Sequence, residues 1–118
     1  MNIDILNPFG NSIAEIQSDD IEIMNAQDAL DILVNCAYQG AQKIIIHEKN
    51  IIPEFFNLSS GIAGEVLQKF STYNAHLSII GDYDKFASKS LRDFIYESNK
   101  MGRVTFVNSM AEARERLR

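Results

Sequence analysis

Lys43-Ile44-Ile45-Ile46 is the stretch on which the fold turns. Three consecutive isoleucines leave no polar residue to face water, as a strand with one wet face would need. A short apolar run of this kind reads as a strand covered on both faces, the habit of parallel sheets. Leu77-Ser78-Ile79-Ile80 and Val104-Thr105-Phe106-Val107 read as further strands downstream. Between the runs the period lengthens to that of a helix. Ile62, Ala63, Val66, Leu67 and Phe70 share one helical face, and Leu91, Phe94 and Ile95 share another. Asn74 and Gly102 are placed to stop these two helices, and Ser88 or Ser90 to open the second of them.

The same reading extends to both ends of the chain. Ala26, Leu30, Leu33, Val34 and Ala37 predict a helix capped by Asn25, with Asp28 at the reciprocal position and Gly40 at the stop. Ser109 and Glu112 form a capping box for a last helix. Near the start, Ile3–Leu6 and Ile13–Ile16 read as antiparallel strands joined by the turn Pro8-Phe9-Gly10-Asn11. Ser18-Asp19-Asp20 turns again, and Ile21-Glu22-Ile23 is a short extended piece. The expected architecture is one α/β domain over residues 1–118, with a mixed, mostly parallel five-stranded sheet and crossover helices.

Composition narrows the function classes. The chain has 118 residues, 46% of them hydrophobic, which is enough for one core. Its formal net charge of −5 disfavours non-specific nucleic-acid binding and anionic membrane surfaces, both of which need clustered Lys and Arg. Its apolar runs are too short to cross a bilayer, and Met1-Asn2-Ile3-Asp4 lacks the basic and apolar regions of a signal peptide. Cys36, the single cysteine, excludes an internal disulfide and points to a reducing, cytoplasmic setting.

In open α/β sheets, ligands sit outside the carboxyl ends of the strands. The residues expected there are His47 and Glu48 after one strand, Asp82 after the next, and Ser88, Lys89 and Arg92 at the following helix start. Lys89 and Arg92 are unfavourable to that helix dipole, so they mark either compensation by Asp93, Asp84 or Glu48, or a small anion or acidic partner near Lys85. The intervening helix opens at Asn57-Leu58-Ser59-Ser60-Gly61-Ile62-Ala63-Gly64-Glu65. Ser59 and Ser60 there read as an ordinary N-cap, with Gly61 and Gly64 allowing close packing, or as a seat for a phosphoryl group or small anion. His76 begins a strand at the opposite edge from His47, so no two-histidine metal site is expected, and no cofactor is implied. Ser59, Ser60 and Cys36 have no convincing base beside them and no nucleophile elbow, so no catalytic residue is assigned. The phenylalanines read as core, since no basic groove accompanies them.

Ser59-Ser60-Gly61, opening the helix after the central strand, together with the element order, resembles the STAS domains (sulfate transporter and anti-sigma-factor antagonist). In the antagonists, a serine in an Asp-Ser-Ser-Gly stretch is phosphorylated to release a partner; Ser59 is the counterpart by position, with Leu58 where the aspartate stands. Over nearly its full length the chain resembles the bacterial domain-of-unknown-function family 4180. The resemblance rests on Ile45-Ile46-His47-Glu48-Lys49-Asn50, Pro53-Glu54-Phe55-Phe56-Asn57-Leu58, Gly61–Phe70, Ile79-Ile80-Gly81-Asp82 and Ser88–Asn99. The STAS resemblance implies the architecture, and the family resemblance supplies no activity. The expected function is a small regulatory or binding module that holds a protein partner or a small anion at the strand edge and the Ser59 helix start. Two alternatives stand beside it: an enzyme or ligand sensor using Glu48, Asp82 and Arg92, and a structural homodimer pairing through an apolar helix face.

Overall fold

The computed structural model describes all of residues 1–118. Strands β1 (Asn2–Leu6) and β2 (Ile13–Gln17) form the antiparallel hairpin, and helix α1 (Ala26–Tyr38) leads to β3 (Lys43–His47). Helix α2 (Ile62–Thr72), β4 (His76–Ile80), α3 (Lys89–Met101), β5 (Val104–Val107) and α4 (Met110–Arg116) follow. The strands lie in chain order, β1-β2-β3-β4-β5, with β1 antiparallel to β2 and the other pairs parallel. The expected mixed, mostly parallel five-stranded sheet is the one observed.

Alternation sorts the side chains between the two faces of the sheet. Ala14, Ile16, Ile44, Ile46, Leu77, Ile79, Val104 and Phe106 point one way and join the main core of 22 buried residues beneath α1, α2 and α3. Ile13, Ile45 and Val107 point the other way and meet Ala113 and Leu117 of the α4 region in a cluster of only five. This thinner layer is clamped by a half-buried ion pair, in which Arg114 Nη2 lies 2.7 Å from the buried Glu15 Oε2 and its Nε donates to the same oxygen.

The N-caps expected for α1, α3 and α4 hold, but neither capping box closes with its reciprocal bond. Asn25 accepts from the Asp28 N–H, but the Asp28 carboxylate accepts from Met24 N–H rather than from Asn25. Ser88 and Ser109 cap α3 and α4 through the N–H groups of Leu91 and Glu112. Helix α1 differs in phase. It buries Ala29, Ile32, Leu33 and Cys36, whereas Val34 is exposed. Gln27, Asp28, Asp31 and Asn35 form one polar stripe; the buried set lies opposite it against α2, and Leu30 and Val34 flank the stripe.

The two edges of the sheet end differently. At β5 the Asn99 side chain of α3 donates to Phe106 O and accepts from Phe106 N–H, and Ser98 Oγ donates to Val104 O. Side chains thus satisfy this edge as a neighbouring strand would. No such cover lies on β1, where Ile5 and Leu6 remain partly exposed.

His76 opens β4 opposite Lys43 of β3. Burial, then the charges of Arg103 and Lys43, lower its pKa from the ordinary 6.5. A group depressed in the folded state binds its proton more readily when unfolded. Its contribution is therefore complete above pH 6.5 and is lost as the pH falls below that value. Urea midpoints measured across this window should decline less steeply for His76→Asn than for the wild type. Parallel curves would remove His76 from the acid response.

Candidate functional site

All three crossover helices lie on one face, so the sheet has no switch point to open a crevice. The concavity at its carboxyl edge arises from the connection after β3. That connection is not a simple loop. It runs through three 3₁₀ turns, Glu48–Asn50, Pro53–Phe56 and Leu58–Ser60, before α2 begins. Asn50 ties the first turn to the preceding loop. Its Nδ2 donates to Ser18 O and Asp20 O, and its own carbonyl accepts from the N–H groups of Glu22 and Ile23. Ile23 and Ile51 then pair as an isolated parallel bridge, which brings Ile21 alongside Ile51.

A cavity of about 250 Å³ opens between these segments and the loop after β4. Ile21, Ile51, Pro53, Phe56 and Phe86 form its apolar walls, and Glu48, Lys49 and Lys85 form its polar rim. Phe56 stacks on Phe86 with ring centroids 5.0 Å apart and meets Phe55 edge-on at 4.9 Å. Phe106 lies behind them, 5.5 Å from Tyr83 and 6.1 Å from Phe94. Tyr83 donates to Ile79 O at 2.6 Å. Burial, reinforced by the Glu48 and Glu112 carboxylates, pushes its hydroxyl far above the usual value, so it stays a neutral donor.

Glu48 is the one carboxylate held at the cavity mouth. Its side chain is only 16% exposed, and its Oε2 lies 2.5 Å from Lys85 Nζ. Its Oε1 accepts a long hydrogen bond from Asp82 N–H, 3.4 Å. Gly81 makes room for it: a Cβ there would sit 2.7 Å from Glu48 Oε1 and 2.8 Å from Glu48 Cβ. Gly81 is therefore required by close approach, not by a left-handed backbone.

The other expected site residues separate. His47 lies on the α4 face of the sheet, in register with Ile80, and lines a different, polar hollow with Gln17, Ser18 and Asp19. Asp82 turns its carboxylate back to Asp84 N–H, and Arg92 donates to Ala87 O at 2.9 Å. Glu48, Asp82 and Arg92 therefore do not converge, and only Glu48 lines the cavity. Lys89 pairs with Asp93 at 2.8 Å, and Ser88 is engaged as the α3 cap. No three His, Cys, Asp or Glu side chains come together as a metal-ligand set.

The serine pair does not take the N-cap role read in the sequence. Neither serine is the N-cap of α2; that position is Gly61, in the left-handed region at φ 80°. Ser60 Oγ donates to Glu54 O at 2.7 Å and accepts from Ile62 N–H, which braces the turn carrying Phe56. Ser59 Oγ donates to Asn57 Oδ1 at 2.8 Å and is exposed. Gly64, expected to allow close packing, has nothing within 4 Å of a built Cβ. Sequence reading missed Lys49, Ile51, Pro53, Phe56 and Phe86 as cavity residues, and Gly81 as the cradle of Glu48. The one signal for Gly81 was a glycine ending a buried strand with no turn demanding it.

The family model for a domain of unknown function, DUF4180, matches residues 9–117. No curated protein sequence matches significantly. Among solved structures, a Thermotoga maritima protein assigned as an anti-sigma factor antagonist superposes with a TM-score of 0.52 at 13% identity, covering 98% of this chain and 92% of that one. That likeness is one of fold.

Proposed function

The chain belongs to the DUF4180 family, and within that frame we propose that it is a regulatory binding module that docks a protein partner at the carboxyl edge of its sheet. The apolar cavity walled by Phe56 and Phe86 carries this reading. An aromatic-lined hollow with a charged rim is the usual seat of an interface anchor residue. No helix is long and apolar enough to cross a membrane. Cys36 is fully buried, and burial pushes its thiol up to about 11, which leaves it unreactive; a cytoplasmic setting is proposed from the lone cysteine's having no disulfide partner.

A protein partner suits this edge better than a small anion. Lys85 and Lys49 at the rim are already paired with Glu48 and Asp19. The Ser59 turn lies between Glu54 and Glu65 with no cation from Asn50 to Gln68. The enzyme alternative has no converged set of side chains to draw on, as described above. Phe86→Asp places a carboxylate on the cavity wall without entering the deeper core. The wild type should co-purify with a specific protein that the variant loses while its melting temperature stays within a few degrees. Equal recovery by both proteins would remove the reading.

A further inference from the structure

We infer that the occupant of this cavity is a basic amphipathic segment of the partner: one apolar side chain enters the cavity against the stacked Phe56 and Phe86, and an adjacent Arg or Lys pairs with Glu48 in place of Lys85. The inference rests on the carboxyl-edge reading above and specifies its chemistry.

The distribution of charge comes first. The loops leaving β2, β3, β4 and β5 span residues 18–25, 48–61, 81–88 and 108–109. They contain Asp19, Asp20, Glu22, Glu48, Glu54, Asp82 and Asp84 against Lys49 and Lys85. Their balance is −5, the formal net charge of the whole chain, so the remainder of the molecule is neutral. The two lysines of the cavity rim are paired with Asp19 and Glu48, so the cavity lies within an edge that is acidic overall, which attracts cationic segments and repels anionic ones.

Glu48 then supplies the specific contact. Gly81 and the Asp82 N–H fix its carboxylate, which is largely withdrawn from water. Its strong partner is the tip of Lys85, a side chain 54% exposed and on a flexible stem. Lys85 Nζ also lies 5.3 Å from the Phe86 ring centroid, so the ammonium covers the wall that an incoming side chain needs. Lys85 can swing into water at little cost to itself, because an exposed lysine is readily solvated, and the sheltered Glu48 then needs the incoming cation as its new partner. A guanidinium taking its place pairs with the carboxylate through two parallel bonds, which a single ammonium cannot do. Lys85 thus acts as an internal stand-in for the partner's cation.

Two probes with the same apolar body and opposite charge test this on the full chain: 4-phenylbutylamine and 4-phenylbutyrate, titrated while amide resonances are followed by NMR. The amine should shift the Asp82, Lys85 and Phe86 amides saturably, and the butyrate should bind at least about tenfold more weakly. Glu48→Gln should weaken the amine about tenfold. Lys85→Met should tighten it, since the competing cation is gone while the apolar stem remains. Butyrate binding as tight as the amine, or weaker amine binding by Lys85→Met, would assign the contact to Lys85 and overturn the inference. No saturable shift by the amine at millimolar concentration would also overturn it. Partner retention that still depends on Phe86 would in that case leave the docking surface standing.

Discussion

Phe106→Ala should lower the unfolding free energy by about 3–5 kcal/mol. In a chain of this size that is a fall in melting temperature on the order of 10–20 °C. Phe106 is 4% exposed and sits where β5, α3, the second 3₁₀ turn and the loop after β4 meet. Phe55, Phe56, Tyr83 and Phe94 each place a ring within 6.5 Å of it. Truncation removes a ring whose neighbours come from three separate segments, so no single one can move to fill the hole. The surrounding aromatics should also lose fixed geometry, and near-ultraviolet circular dichroism should weaken before unfolding. A loss under about 1 kcal/mol in urea titration would show a loosely packed cluster and would refute this account.

Gly81→Val should cost about 1–3 kcal/mol and abolish binding of cationic probes at the cavity. The added Cβ would press on the Glu48 carboxylate and Cβ, with Tyr83 Cζ at 3.2 Å on its other side. The carboxylate can rotate away, but the Glu48 Cβ cannot move without its backbone. Gly81→Ala combined with Glu48→Ala should therefore recover only part of the loss caused by Gly81→Ala alone. Gly64→Ala provides the opposite sign. Gly64 lies in the first turn of α2, free of neighbours and of positive φ, so alanine should stabilise by up to about 1 kcal/mol. Equal thermal shifts for the Gly81 and Gly64 variants would refute the steric reading.

The sheet was legible because its signals are local and redundant. Ile44–Ile46, Leu77–Ile80 and Val104–Val107 announce buried strands, and Asn25, Ser88 and Ser109 announce helix starts. The phase of α1 was misread because Leu30 and Val34 are larger apolar residues than Ala29 and Cys36, although the polar stripe of Gln27, Asp28, Asp31 and Asn35 leaves Ala29, Ile32, Leu33 and Cys36 on the opposite face. The site was legible in its location and in Glu48, and much less so in its walls. Phe56 and Phe86 belong to loops 30 residues apart, and a residue that is half core and half cavity has the composition of core. Asn50 gave no warning either. Its importance lies in two carbonyls more than two dozen residues upstream, a relation no periodicity encodes. Ser59 and Ser60 misled because hydroxyls before a helix resemble a cap, whereas they lie inside a further 3₁₀ turn, with a left-handed glycine between them and α2.

The amide of Asn99 has a consequence for assembly as well as for stability. A strand ladder propagates between molecules only if each copy offers two free edges, one to receive and one to extend. This sheet offers one, because the β5 side is closed by its own helix. In polymer terms the molecule is monofunctional. Two copies that met through β1 would consume both open edges and terminate the chain at a two-fold pair, with no end left on which a fibre could grow.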